Sequence, residues 1–147
     1  MILSSDLMIG IIAAIILIAI VVLQFRHLPK YRLNQIQIER IKEHGLMHFT
    51  LRGNIDAILK EGIKPGKKKP MNFLEKDMVW TYIADPACFP EKLNEIHSKG
   101  ERSAYDAVIY IKDIPENEFK NFKYRPHPEA IVHLGVLITD NMTADEI

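Results

Sequence analysis

The chain begins with an unbroken run of apolar residues and then becomes polar and charged. From Leu7 to Leu23 almost every residue is strongly apolar, and no charged side chain lies between Asp6 and Arg26. A helix needs about 20 apolar residues to cross the hydrocarbon core of a bilayer. The run therefore predicts an N-terminal transmembrane anchor within residues 1–25.

The charges on either side of this run predict its orientation. Arg26, Lys30 and Arg32 follow the run, whereas Asp6 precedes it. By the positive-inside rule, the C-terminal part would lie in the cytoplasm and the protein would be single-pass in the cell membrane. A cleaved signal peptide is the main alternative, but residues 1–6 contain no Lys or Arg and no small-x-small cleavage site follows the run. A buried core helix is the other, although a domain of this size rarely encloses such a helix on every side.

Behind the anchor, short amphipathic helices alternate with short apolar strands. The predicted elements are a helix ending at Gly45 within a juxtamembrane connector 26–45, a strand 46–49, a helix capped by Asn54 and ended by Gly62, a strand 78–84, a helix 91–99, a strand 107–111, and 130–138 as one strand or as two separated by a bend at Gly135. This order predicts a small α+β domain occupying residues 46–147.

Composition removes several classes of function. Nineteen Lys and Arg residues balance nineteen Asp and Glu residues, so the chain lacks the basic excess of a typical nucleic-acid-binding protein. Cys88 is the only cysteine, which rules out an intrachain disulfide and a cysteine-rich zinc site. The six histidines show no pair at metal-ligand spacing on a predicted helix, so we expect no metal. Walker, GxGxxG, GxSxG and HExxH motifs are also absent.

Three segments, in order, carry a resemblance to a known fold. His48-Phe-Thr50 precedes a helix that runs from Asn54 to Gly62; Val79-Trp-Thr-Tyr-Ile-Ala84 follows; and Glu129 precedes an aliphatic strand. This order resembles the ADP-ribosyltransferase-like fold, especially its branch of DNA-targeting transferases and RNA 2'-phosphotransferases. In that family a strand with His and Thr precedes such a helix, an aromatic residue of the second strand lies beside the nicotinamide, and an acidic residue precedes the third strand.

The resemblance implies a mixed sheet for the domain, a substrate and a site. NAD would be the substrate, with His48 bound to the adenosine-side ribose and Thr50 supporting it. Tyr82 would stack on the nicotinamide, with Trp80 as the alternative. Glu129 would be the catalytic carboxylate, because cleavage of the nicotinamide–ribose bond builds oxocarbenium character that a carboxylate stabilises. Arg52 and the basic loop 67–69 could attract the pyrophosphate or an anionic target.

Three functions follow from these expectations. The first is a membrane-anchored mono-ADP-ribosyltransferase or NAD glycohydrolase, with an unidentified protein or nucleic-acid acceptor. The second is a non-catalytic, membrane-tethered module of the same fold that binds a nucleotide or a protein. The third is a membrane interaction protein that resembles the fold by chance, in which His48 is only a hydrogen-bonded strand residue, Tyr82 is core and Glu129 is solvated. They are distinguished by whether these three side chains line one cleft.

Overall fold

A computed structural model of the chain describes residues 2–66, 77–88, 91, 105–126 and 129–147. The basic loop 67–69 and most of the predicted helix 91–99 lie outside these residues. The chain forms two compact units, of which the first includes Met1–Leu28 and the second comprises Pro29–Gly66 and Asp77–Ile147. Each unit is described separately below.

The first unit contains the apolar helix α1, Ser5–His27. Ser4 caps its N-terminus by accepting a hydrogen bond from the Leu7 amide, and Asp6 lies in the first turn, where the helix dipole favours a negative charge. The stretch Ser5–Arg26 is long and apolar enough to cross a membrane, and none of its residues is fully buried, although Ile20, Val21 and Gln24 are only partly exposed. The predicted apolar helix is therefore confirmed, by length and composition.

The second unit is built on a seven-stranded sheet. Its elements in chain order are β1 (Tyr31–Arg32), α2 (Gln35–His44), β2 (Leu46–Thr50), a 3-10 helix (Arg52–Asn54), α3 (Ile55–Glu61), β3 (Met78–Ile83), β4 (Ala107–Ile111), a further 3-10 helix (Glu116–Asn121), β5 (Phe122–Arg125), β6 (Ala130–Leu134) and β7 (Met142–Glu146). The strand order is β1-β5-β6-β3-β2-β4-β7, and each pairing among the described strands is antiparallel. The predicted α+β class is confirmed, but the prediction of a mixed sheet is wrong. The strands β1, β5 and β7, which the pattern did not predict, complete an antiparallel sheet.

The main core lies between one face of this sheet and the two helices α2 and α3. Ile41 of α2 and Ile58 of α3 pack in one cluster with Leu46, Ile109 and Ile131 of the central strands. Complete burial of one isoleucine side chain stabilises a fold by roughly 1.5–3 kcal/mol. These contacts make α2 part of the domain itself. The compact unit thus begins at Pro29 and includes the short amphipathic helix that the sequence pattern predicts within residues 26–45.

One detail of the loops differs from expectation, and another agrees with one of the predicted alternatives. Asn54 does not cap α3 with its side chain, and it is the last residue of the preceding 3-10 helix. Its side-chain amide donates a hydrogen bond to the Thr50 hydroxyl over 3.5 Å. The segment after β6 does bend at Gly135, where φ is +82°. Beyond the bend, Leu137 pairs with Ile63 in an isolated bridge.

Candidate functional site

The sheet opens between β2 and β3. These strands pair only through Leu46 with Ile83 and Met47 with Tyr82, whereas β2 pairs with β4 along all five of its residues. Beyond Met47 the backbone ladder is replaced by a side chain, since the ring of His48 is hydrogen-bonded through Nδ1 to the Trp80 carbonyl over 2.8 Å. We call this region the β2–β3 opening.

The imidazole of His48 has a defined chemical state. A carbonyl oxygen can only accept, so Nδ1 carries the proton of this hydrogen bond. Burial lowers the pKa of His48 and outweighs the hydrogen bond to Trp80, which acts in the opposite direction. The neutral ring therefore presents Nε2 as an acceptor, and Nε2 has no hydrogen-bond partner among the residues that the structure describes. One acceptor is thus available at the β2–β3 opening.

Thr50 and Arg52 follow His48 along the chain but face different surroundings. Thr50 is buried, and two residues of separation place it on the same face of β2 as His48. Arg52 lies just beyond the strand, where its amide donates to the Asp106 carboxylate over 2.6 Å. Its guanidinium is 3.2 Å from the carboxylate of Glu146 on β7. The charge of Arg52 is therefore already matched within the fold.

Tyr82 lies on the opposite face of the sheet from His48. Tyr82 is directly opposite Met47 in the antiparallel register, so both side chains share a face, and successive residues of a strand alternate. On that face the ring of Tyr82 is 5.9 Å from the ring of Phe49, centroid to centroid. Trp80, two residues earlier on β3, shares the face of Tyr82. Neither aromatic side chain shares the face of His48.

Glu129, immediately before β6, accepts hydrogen bonds from two side chains of the described part of the chain. Its carboxylate oxygens are 3.3 and 3.4 Å from Nη1 of Arg40 on α2, and the hydroxyl of Tyr124 on β5 donates to it over 3.2 Å. Burial raises the pKa of Tyr124, and the negative charge of Glu129 raises it further. The carboxylate joins α2 to the sheet at its β5–β6 side.

The predicted site residues are thus brought together only in part. His48 and Thr50 share a face of β2, Tyr82 lies on the other face, and Glu129 is bound to partners on α2 and β5. No hydrogen bond or ion pair recorded for the described residues joins any two of His48, Tyr82 and Glu129. Within the same part of the chain, no group of three His, Cys, Asp or Glu side chains could hold a metal ion.

Sequence reasoning missed a hydrogen bond of the buried residue His133. This residue is 3% exposed, and its Nε2 is 2.6 Å from the carboxylate of Glu118 on the 3-10 helix Glu116–Asn121. Its Nδ1 lies 3.2 Å from the Gly135 carbonyl, so both ring nitrogens face acceptors. The hydrogen bond between Glu118 and His133 lowers the pKa of Glu118. The ring of His133 packs edge-on against Phe122. Because both of its ring nitrogens are engaged, His133 has a structural role, linking β6 to the 3-10 helix Glu116–Asn121. Nothing in the sequence pattern pairs it with Glu118, 15 positions earlier.

Comparisons with models of protein families, with curated proteins and with solved structures found no match. The case for a function therefore depends on the geometry above.

Proposed function

We propose that the protein is a single-pass membrane protein that holds a small α+β binding domain at the cytoplasmic face of the membrane. The observation that carries this proposal is α1, whose apolar stretch Ser5–Arg26 has no buried residues within the protein. Apolar surface left in water costs roughly 25 cal/mol per Å², and a bilayer would remove that cost along the whole helix. The cations Arg26, Lys30 and Arg32 at its C-terminal end support the cytoplasmic orientation.

The single cysteine allows a direct test of this topology. Cys88 is exposed, so a membrane-impermeant maleimide should label it in permeabilised cells but not in sealed ones. As a control, the variant Ile2→Cys with Cys88→Ser places the thiol before α1 and should be labelled in sealed cells. The protein should also stay in the membrane during alkaline carbonate extraction. Release by carbonate, or labelling of Cys88 in sealed cells, would overturn the proposal.

A second candidate function is nucleotide binding at the β2–β3 opening. It is favoured by the neutral ring of His48, whose Nε2 can accept a hydrogen bond from a ribose hydroxyl, with Thr50 on the same face. These are the two residues that the resemblance to ADP-ribosyltransferases assigns to the ribose of NAD. Turnover is supported less well, because Glu129 is engaged by Arg40 and Tyr124. We therefore place a non-catalytic nucleotide-binding module ahead of a mono-ADP-ribosyltransferase or NAD glycohydrolase.

Calorimetry with NAD on the full-length protein in nanodiscs tests this candidate. We expect binding by the wild type, its loss in His48→Phe, and its retention in His44→Phe, which changes a half-buried histidine at the end of α2. Cooperative thermal unfolding of both variants would show that they fold. Absence of NAD binding by the folded wild type would refute the candidate. Nicotinamide release that disappears in Glu129→Gln would instead support the transferase or glycohydrolase.

A further inference from the structure

Two cations lie directly opposite each other at one edge of the sheet. Arg32 of β1 pairs in antiparallel register with Lys123 of β5, so the two side chains project from the same face. Directly opposite residues have Cβ atoms about 4.5–5.5 Å apart, and like charges in this position are destabilising. The exposed Lys30 immediately precedes β1. We call Lys30, Arg32 and Lys123 the basic edge.

The charges of the basic edge are not neutralised by the fold. Some other cations of the domain form ion pairs, such as Arg40 with Glu129 and Arg52 with Glu146. Among the described residues, none of the three cations of the basic edge has an ion-pair partner. The fold thus brings like charges together and leaves them available to an external anion.

The position of the basic edge in the chain indicates which anion. Only residues 28–30 separate the end of α1 from β1. Three residues span at most about 11 Å, which is close to the distance of about 8–10 Å over which salt screens a surface charge. If α1 spans the bilayer, β1 must lie within the field of the lipid headgroups. Tyr31, beside Arg32 and 59% exposed, is a residue type enriched at this interface.

We propose that the basic edge binds anionic lipid headgroups and docks this end of the sheet on the cytoplasmic leaflet. A nucleic acid is the less suitable partner, because the formal net charge of the chain is zero. The proposal rests on the membrane anchor proposed above.

Hydrogen exchange on the full-length protein in nanodiscs tests the docking. Discs of pure phosphatidylcholine are compared with discs of equimolar phosphatidylcholine and phosphatidylserine. Amides of β1 and β5 should exchange more slowly in the anionic discs, by about fivefold for each cation engaged, and added salt should reverse the effect. Amides of β7, at the opposite edge of the sheet, should not respond to the lipid.

Variants separate specific docking from general charge. In Arg32→Gln with Lys123→Gln the difference between the lipids should disappear, whereas Lys60→Gln with Lys112→Gln, which removes the same charge from exposed positions elsewhere, should keep it. Unchanged exchange in β4 would show that the variants remain folded. Equal exchange of β1 and β5 in both lipids would overturn the docking. The amides of α1 report on the anchor separately: their protection in both lipids shows insertion, and rapid exchange there would refute the anchor instead.

Discussion

At His48 the imidazole takes the place of a backbone hydrogen bond between two separating strands, and burial lowers the pKa of the ring. The unfolded chain therefore binds a proton near pH 6.5 before the folded protein does. The contribution of His48 is complete above this pH, and the free energy of unfolding should fall as the pH drops through about 6.5 toward the lower pKa of the folded state.

The variant His48→Asn tests this pH dependence. Asparagine keeps an amide donor for the Trp80 carbonyl but does not titrate, so the loss of stability in acid should be smaller than in the wild type. Urea unfolding on both sides of pH ~6.5 measures the difference. Identical pH profiles for the two proteins would contradict this account of His48.

The buried pair His133 and Glu118 leads to a prediction that does not involve a site. Glu118→Gln removes the carboxylate that is hydrogen-bonded to Nε2 of His133, whose other ring nitrogen faces the Gly135 carbonyl. We expect this change to lower the free energy of unfolding by about 1–3 kcal/mol. Glu116→Gln is the matched control, since it lies on the same 3-10 helix in an exposed pair with Lys42 and should cost less than about 1 kcal/mol. Chemical denaturation compares the two, and equal costs would show that the buried pair is not special.

At the scale of residues, the sequence predicted candidates but not how they are arranged. His48, Thr50 and Glu129 could be singled out because of their positions beside recognisable strands. The face of Tyr82 could not be predicted, because it depends on the register of β3 with Met47 in a strand more than 30 positions earlier. The partners of Glu129 were equally hidden, since Arg40 is 89 residues away in sequence.

At the scale of elements, Gly62 ends α3 in a conformation that other residues resist. Its φ is +85°, and a Cβ atom there would lie 2.6 Å from the Leu137 carbonyl oxygen and 2.7 Å from a side-chain carbon of Ile138. Gly62→Ala should therefore destabilise the domain by about 1–3 kcal/mol from backbone strain, with steric overlap in addition. Gly53→Ala, where nothing lies within 4 Å of the added methyl group, should be nearly neutral. Thermal unfolding of the two variants measures this contrast, and equal midpoints would contradict it.

The elements that the sequence predicted well are those with local signals. The ends of α2 and α3 coincide with glycines, and β2, β3 and β4 are apolar runs bounded by polar segments. Two of the strands that it missed, β1 and β7, have no such signal. β7 is Met-Thr-Ala-Asp-Glu at an exposed edge, and β1 has only two residues, so both form because of the neighbouring strand and not because of their own composition.

At the scale of the whole molecule, the division between α1 and the domain was predictable from composition alone, because the longest apolar run of the chain lies at one end. A charge in the middle of that run should weaken insertion. On insertion scales an arginine at the helix centre costs about 2.5–3.5 kcal/mol. Leu17→Arg should shift the protein toward the carbonate-extractable fraction, whereas Leu17→Phe should leave it in the membrane. Equal extraction of both variants would contradict a transmembrane role for α1.

The three residues between α1 and β1 also limit how the domain could meet its targets. If α1 lies in the bilayer as proposed, a linker of at most about 11 Å would tether the start of β1 close to the membrane. The domain would move mainly by lateral diffusion, so that partners in the same membrane are met by a two-dimensional search. A bulky soluble partner would have to approach from the side of the domain that faces away from the lipid. The length of this linker thus favours small ligands and co-resident membrane proteins over large soluble assemblies.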